Sequence, residues 1–141
     1  MIPCIENIYA GKGLYQQMLS PLGKKYELTD SQLIILLYLA DKNPVDTASK
    51  LVRCQRLKKS VVSSSIDDLE KRGFIESYYL DGDRRSKHLR VKDEAKVIIN
   101  EAKKVQDALY ALMTDSFTQD EKRIYDQIMR KVNLNMVRFP L

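Results

Sequence analysis

The sequence predicts a mainly α-helical fold broken by a single β-hairpin, on three observations. Apolar residues recur three and four positions apart through most of the 141 residues, the period of a helix with one buried side. Two segments, "LTDSQ" and "FTQDE", place Thr three residues ahead of Gln or Glu, the reciprocal cap that opens a helix. Only "FIESYYLDGDRRSKHLRV" departs from that period, with two extended runs around an Asp-Gly turn.

Taken in order, Ile5, Ile8, Leu14, Met18 and Leu22 make the start of the chain amphipathic. A capped helix follows from Thr29, with Leu33, Leu36, Leu37 and Ala40 on one face, widened by Ile34, and Asn43-Pro44 to end it. Asp46 is placed to cap a short helix, "TASKLVRC", that turns Ala48, Leu51 and Val52 inward. In "SVVSSSIDDLEKRG", Val62, Ile66 and Leu69 form the buried stripe, Ser60, Ser63 and Ser64 face outward, and Gly73 supplies the left-handed stop. In the hairpin, Ile75, Ser77 and Tyr79 are expected on one side with Leu89 and Val91. A helix from about Asp93 to Asp115 extends roughly 35 Å, longer than a small core needs. The Thr118 cap opens a last helix carrying Ile124, Ile128, Val132 and Met136.

Composition narrows the function. With 44% hydrophobic residues the chain has the means to bury a core, and no apolar run approaches the roughly 20 residues that cross a bilayer. A cytosolic protein is expected. Cys4, Cys54 and the single His88 cannot make a four-ligand zinc site without carboxylates, so no metal and no cofactor is expected. Residues 50–92 hold twelve Lys and Arg against six acids, a net of +6 beside +5 for the whole chain. That concentration is the footprint of nucleic-acid binding, with an ordinary solvated face as the alternative.

Helix, short helix, longer helix and charged hairpin, in that order, make a winged helix-turn-helix. The segments "LTDSQLIILLYL", "SVVSSSIDDLEKRGFIE" and "DRRSKHLRV", with the order of elements over the whole chain, resemble the MarR family of transcriptional regulators. The resemblance implies one domain over residues 1–141, with a DNA-binding lobe at about 29–92 and dimerisation helices at about 1–28 and 93–141. It implies a homodimer that binds a pseudo-palindromic operator in double-stranded DNA and represses until a small molecule or an oxidant acts. The family's Leu-Thr after the wing strand is Val91-Lys92 here, which passes the next helix cap to Asp93.

Ser60, Ser63 and Ser64 are short and reach bases or phosphates only if the helix lies deep in the groove, while Lys58 and Lys59 at its start add to the dipole and grip phosphate. Arg84 or Arg85 enters the minor groove from the wing, with Lys87 beside them. The family pattern has Asp83 brace Arg85; the plainer alternative is that Asp83 only caps the turn.

Two further readings concern the signal. Tyr9, Tyr15 and Tyr38 are candidates to line an effector cavity for a phenolic or carboxylate ligand, or are plain core and interface residues. Cys4 is a candidate oxidant sensor, although nothing basic lies near it to lower its pKa; Cys54 reads as a small buried filler. An enzyme is disfavoured, because His88 has neither a nucleophile partner nor a glycine-rich loop. A winged helix that contacts RNA or protein stays open as a rival.

Overall fold

The computed structural model describes residues 1–140. Helix α1 spans Pro3–Tyr26, α2 Asp30–Leu39, α3 Ala48–Gln55 and α4 Lys59–Lys71; strands β1 (Ile75–Leu80) and β2 (Asp83–Val91) form the hairpin; a 3-10 turn at Asp93–Ala95 leads into α5 (Lys96–Met113), and α6 is Gln119–Arg138. The fold is mainly helical with one antiparallel hairpin, as the periodicity predicts. No helix among the described residues is long and apolar enough to cross a membrane. The chain divides into two compact units, residues 1–106 and 107–141.

In the first unit, α2 is the centre. It is apolar almost all round, as a helix surrounded by others must be, and buries Leu33, Ile35, Leu36 and Leu39. The spacing predicts Ile34, Leu37 and Ala40 on the core face; all three are only half-buried, because α1, α4 and β2 pack on other sides of α2 and leave this one facing a cleft. Leu19 and Leu22 of α1, Leu28, Leu51 of α3, Val62, Ile66 and Leu69 of α4, Ile75 and Leu89 of the hairpin, Ala95, and Ile98, Ile99 and Ala102 of α5 complete the core. Each large apolar side chain buried there contributes about 1.5–3 kcal/mol.

Polar contacts join these elements at chosen points. Thr29 and Gln32 form the expected capping box, and Gln32 also donates from Nε2 to Asp68 Oδ2 at 2.6 Å, linking the start of α2 to the last turns of α4. Arg72, just past α4, donates to the carbonyls of Tyr26 (2.6 Å) and Glu27 (2.8 Å), satisfying the exposed acceptors at the end of α1. Arg72→Ala removes two charge-assisted bonds, and chemical denaturation is expected to show a loss of about 1.5–3 kcal/mol. No change in the midpoint would mean that water replaces the guanidinium at no cost.

Four expectations are corrected. Helix α2 stops at Leu39 rather than at Asn43-Pro44, where the Asp41 carboxylate accepts from the Lys42 N–H at 2.6 Å and closes a local turn instead of a further helical one. Thr47, not Asp46, caps α3, accepting from the Lys50 N–H. A register shift between Tyr78 and Leu80 breaks the alternation, so Tyr79 is 53% exposed rather than facing the core with Ile75. Asp93 caps nothing: the chain enters a 3-10 turn there, and its carboxylate pairs with Lys96 at 2.8 Å on the surface.

In the second unit, the Thr118–Glu121 capping box opens α6 as expected. Phe117 meets Tyr125 edge to face at 5.7 Å, and the Tyr110 hydroxyl donates to Asp126 at 3.1 Å. None of the residues of α6 is buried, and Ile124, Ile128, Met129, Val132 and Leu134 stand exposed.

Candidate nucleic-acid interface

Helices α3 and α4 are joined by the short turn Arg56–Lys58, made possible by Arg56 in the left-handed region (φ 54°). Lys58 is the N-cap of α4 and makes no side-chain cap, so the first backbone N–H groups of the helix stay open, with the ammonium groups of Lys58 and Lys59 exposed beside them. Ser60, Ser63 and Ser64 lie on the exposed side of α4, as their spacing against Val62, Ile66 and Leu69 requires. The Ser64 hydroxyl is already engaged, donating to the Val61 carbonyl at 3.1 Å.

The hairpin turns at Asp81-Gly82, with Gly82 at φ 81°, a conformation that a side chain would strain. Arg84 and Arg85 start β2 and are exposed. Asp83 acts on the backbone: its Oδ1 accepts from the Arg85 N–H at 2.8 Å, and it makes no ion pair with the Arg85 guanidinium. This corrects the expected brace and agrees with the turn-capping alternative. Lys87 is not a free cation either; Glu70 of α4 holds its ammonium at 3.1 Å.

Pairing sorts the basic residues of this lobe. Lys50 binds Asp46, Arg72 caps α1, Lys87 binds Glu70 and Arg90 binds Glu76. Among the described residues, no side-chain partner is present for Lys58, Lys59, Arg84 or Arg85. Of the cations expected to meet DNA, those that remain available are thus at the start of α4 and at the wing tip.

Sequence reasoning missed what sets the wing in place. The single histidine, His88, is only 12% exposed at its side chain. Its Nδ1 lies 2.8 Å from Asp46 Oδ2, its ring stacks on Tyr78 at 5.4 Å, and the neighbouring Leu89 N–H donates to the Asp46 carbonyl at 2.8 Å. Asp46 also accepts from Lys50 at 3.0 Å. Burial pushes the Asp46 carboxyl up, but the bonds from His88 and Lys50 outweigh it and hold the group below the ordinary aspartate value. An acid and a histidine 42 residues apart give no local signal of this contact.

A cleft of about 780 Å³ opens beside α2 in the same unit, lined by Tyr15, Tyr38, Cys54, Lys12 and Lys103 among others. Burial raises the pKa of both tyrosines, so both phenols stay protonated at neutral pH. The Tyr15 oxygen accepts from Gln106 Nε2 at 3.1 Å, which leaves its own proton free to donate. Tyr9 is not part of this cleft and is 70% exposed: six residues along a helix turn it about 120° away from Tyr15. Cys54 is half-buried on the cleft wall rather than a core filler, and Cys4 is exposed.

Residues 26–86 match the MarR family model. The chain is 24% identical over 126 residues to the HTH-type transcriptional regulator PecS of Dickeya dadantii (strain 3937), covering 88% of this chain and 76% of that one. A MarR family regulator from Listeria monocytogenes, solved in complex with a 26mer DNA, superposes with a TM-score of 0.80 at 20% identity, over 94% of this chain and 88% of its own. One from Silicibacter pomeroyi gives 0.80 at 18% identity, over 99% and 92%. The helix-turn-helix, its wing and these matches agree: residues 26–86 are similar to the MarR family, and the whole chain shares the winged helix-turn-helix fold of the solved MarR-type structures.

Proposed function

We propose that the protein is a homodimeric repressor that binds a pseudo-palindromic operator in double-stranded DNA and is released by a small phenolic or carboxylate effector. The observation that carries the reading is the set of unpartnered cations, Lys58 and Lys59 at the start of α4 and Arg84 and Arg85 on the wing, in a lobe where Lys50, Arg72, Lys87 and Arg90 are engaged from within. The open N-terminus of α4 adds donors for phosphate. That the Listeria neighbour was solved with a 26mer DNA supports DNA as the partner. Two half-sites about one helical turn apart fit a two-fold dimer.

Dimerisation is supported by two exposed apolar faces: Ile5, Ile8 and Tyr9 on the first part of α1 with Ile2 just before it, and Ile124, Ile128 and Val132 on α6. Ile124→Lys with Ile128→Lys is expected to give the monomer mass in light scattering where the unaltered chain gives the dimer. A monomer mass for the unaltered chain refutes the assembly. In the cleft, the Tyr15 proton and the Lys12 and Lys103 ammonium groups suit an anionic oxygen, with Ile34 and Leu37 for a ring.

The direct test is a gel shift on DNA from upstream of the protein's own gene, with a salt titration. Sequence-selective binding whose affinity falls steeply with salt is expected. Weak binding indifferent to sequence would count against an operator-specific repressor.

A further inference from the structure

Between Lys59 and Lys71, the outward side of α4 consists of Ser60, Val61, Ser63, Ser64 and Asp67. It holds no Arg, Asn or Gln, the side chains that make bidentate bonds to guanine or adenine in the major groove. What it does hold is selective in another way. Ser64 has spent its proton on the Val61 carbonyl, so its oxygen can only accept, and the exposed Asp67 carboxylate accepts only. In the major groove, acceptors meet the amino groups of adenine N6 and cytosine N4 and are repelled by guanine O6 and N7 and by thymine O4.

Val61 adds the second half of the pattern. It is 38% exposed at the start of a helix whose other β-branched residues, Val62 and Ile66, are buried. Its carbonyl is bonded by both Ser64 (3.1 Å) and the buried Ser65 (2.7 Å), so that turn is rigid and Val61 presents only methyl groups. It lies three residues before Ser64, the spacing that makes side chains neighbours on a helix. An A·T pair offers an amino group and a methyl group together in the major groove; a C·G pair offers the amino group alone.

We infer that α4 reads A·T pairs in each half-site through this pattern, with Val61 against a thymine C5-methyl and the Ser64 oxygen accepting from an adenine N6 amino group. The inference rests on the DNA-binding reading above and goes beyond it by naming the base chemistry and the specificity-determining residues.

The test uses the full-length protein. Duplexes are selected from a random pool, and each thymine of the enriched half-site is replaced in turn by deoxyuridine, which removes only the methyl group. At one position the unaltered protein is expected to bind about four-fold more weakly, the worth of one buried methyl. Val61→Ala, checked for folding by circular dichroism, binds the thymine and uracil duplexes equally. Replacing the contacted adenine by purine, which lacks N6, weakens the unaltered protein and leaves Ser64→Ala unaffected. Uracil without effect at every position, or an effect that persists in Val61→Ala, overturns the inference while DNA binding stands. A pool with no enriched sequence overturns the inference and the operator reading together.

Discussion

Replacing Arg84 and Arg85 together by Ala is expected to weaken operator binding by about 100-fold or more, since each arginine that meets DNA is worth about 1–3 kcal/mol. The slope of log affinity against log salt should fall by about 2, from loss of about 0.9 released ion per charge. Both side chains are exposed and neither carries an internal ion pair, so the thermal midpoint should hold. Single variants then separate the two: the arginine in a narrow groove loses discrimination between sequences, while one on the backbone loses affinity uniformly. Affinity and salt slope both unchanged would remove the wing from the interface.

Asp46→Ala is expected to be the most damaging single change away from the proposed DNA surface. It leaves the His88 ring, stacked and largely enclosed, without its partner and frees Lys50, for a cost of about 2–3 kcal/mol and a midpoint lower by roughly 6–9 °C. Because β2 hangs on Asp46 through His88, DNA affinity should fall with stability, whereas Arg84 and Arg85 alter affinity alone. The sign of the pH dependence follows from the depressed Asp46 pKa: its contribution is complete above the ordinary aspartate value of about 3.9 and fades as the pH drops from there through the folded-state value. Asp46→Asn should lack that part of the acid sensitivity in a urea titration at stepped pH. An identical acid limb in both proteins would show that Asp46 does not carry it.

Local chemistry was legible in the sequence and long-range pairing was not. The Thr29 and Thr118 caps, the Val62, Ile66, Leu69 stripe and the left-handed glycines at 73 and 82 are each decided within a few residues, and the structure shows all of them. The family resemblance was legible for the same reason, since its marks are local segments in a fixed order. The contacts of Asp46 with His88, Arg72 with Tyr26 and Glu70 with Lys87 join residues far apart in the chain. They decide which cations remain for a ligand, and a charge count from sequence treats Arg72 and Arg84 alike. Tyr79 fails by a smaller margin: one shift of register reverses a side chain, and no residue type announces it.

The three polar bonds near the end of α4 make that helix a cantilever. Asp68 is tied to Gln32 and Arg72 to the last carbonyls of α1, so the C-terminal end is clamped to two helices at once. The opposite end, where Lys58, Lys59 and Ser60 lie, has the apolar contacts of Val62 behind it but no such bond. Over 13 residues the beam is about 20 Å long, so a tilt of about 5° at the clamp carries the tip about 1.7 Å, enough to break a hydrogen bond. Because Gln32 sits in the same α2 helix as Ile34, Leu37 and Tyr38 of the cleft wall, the clamp and the cleft share one rigid support.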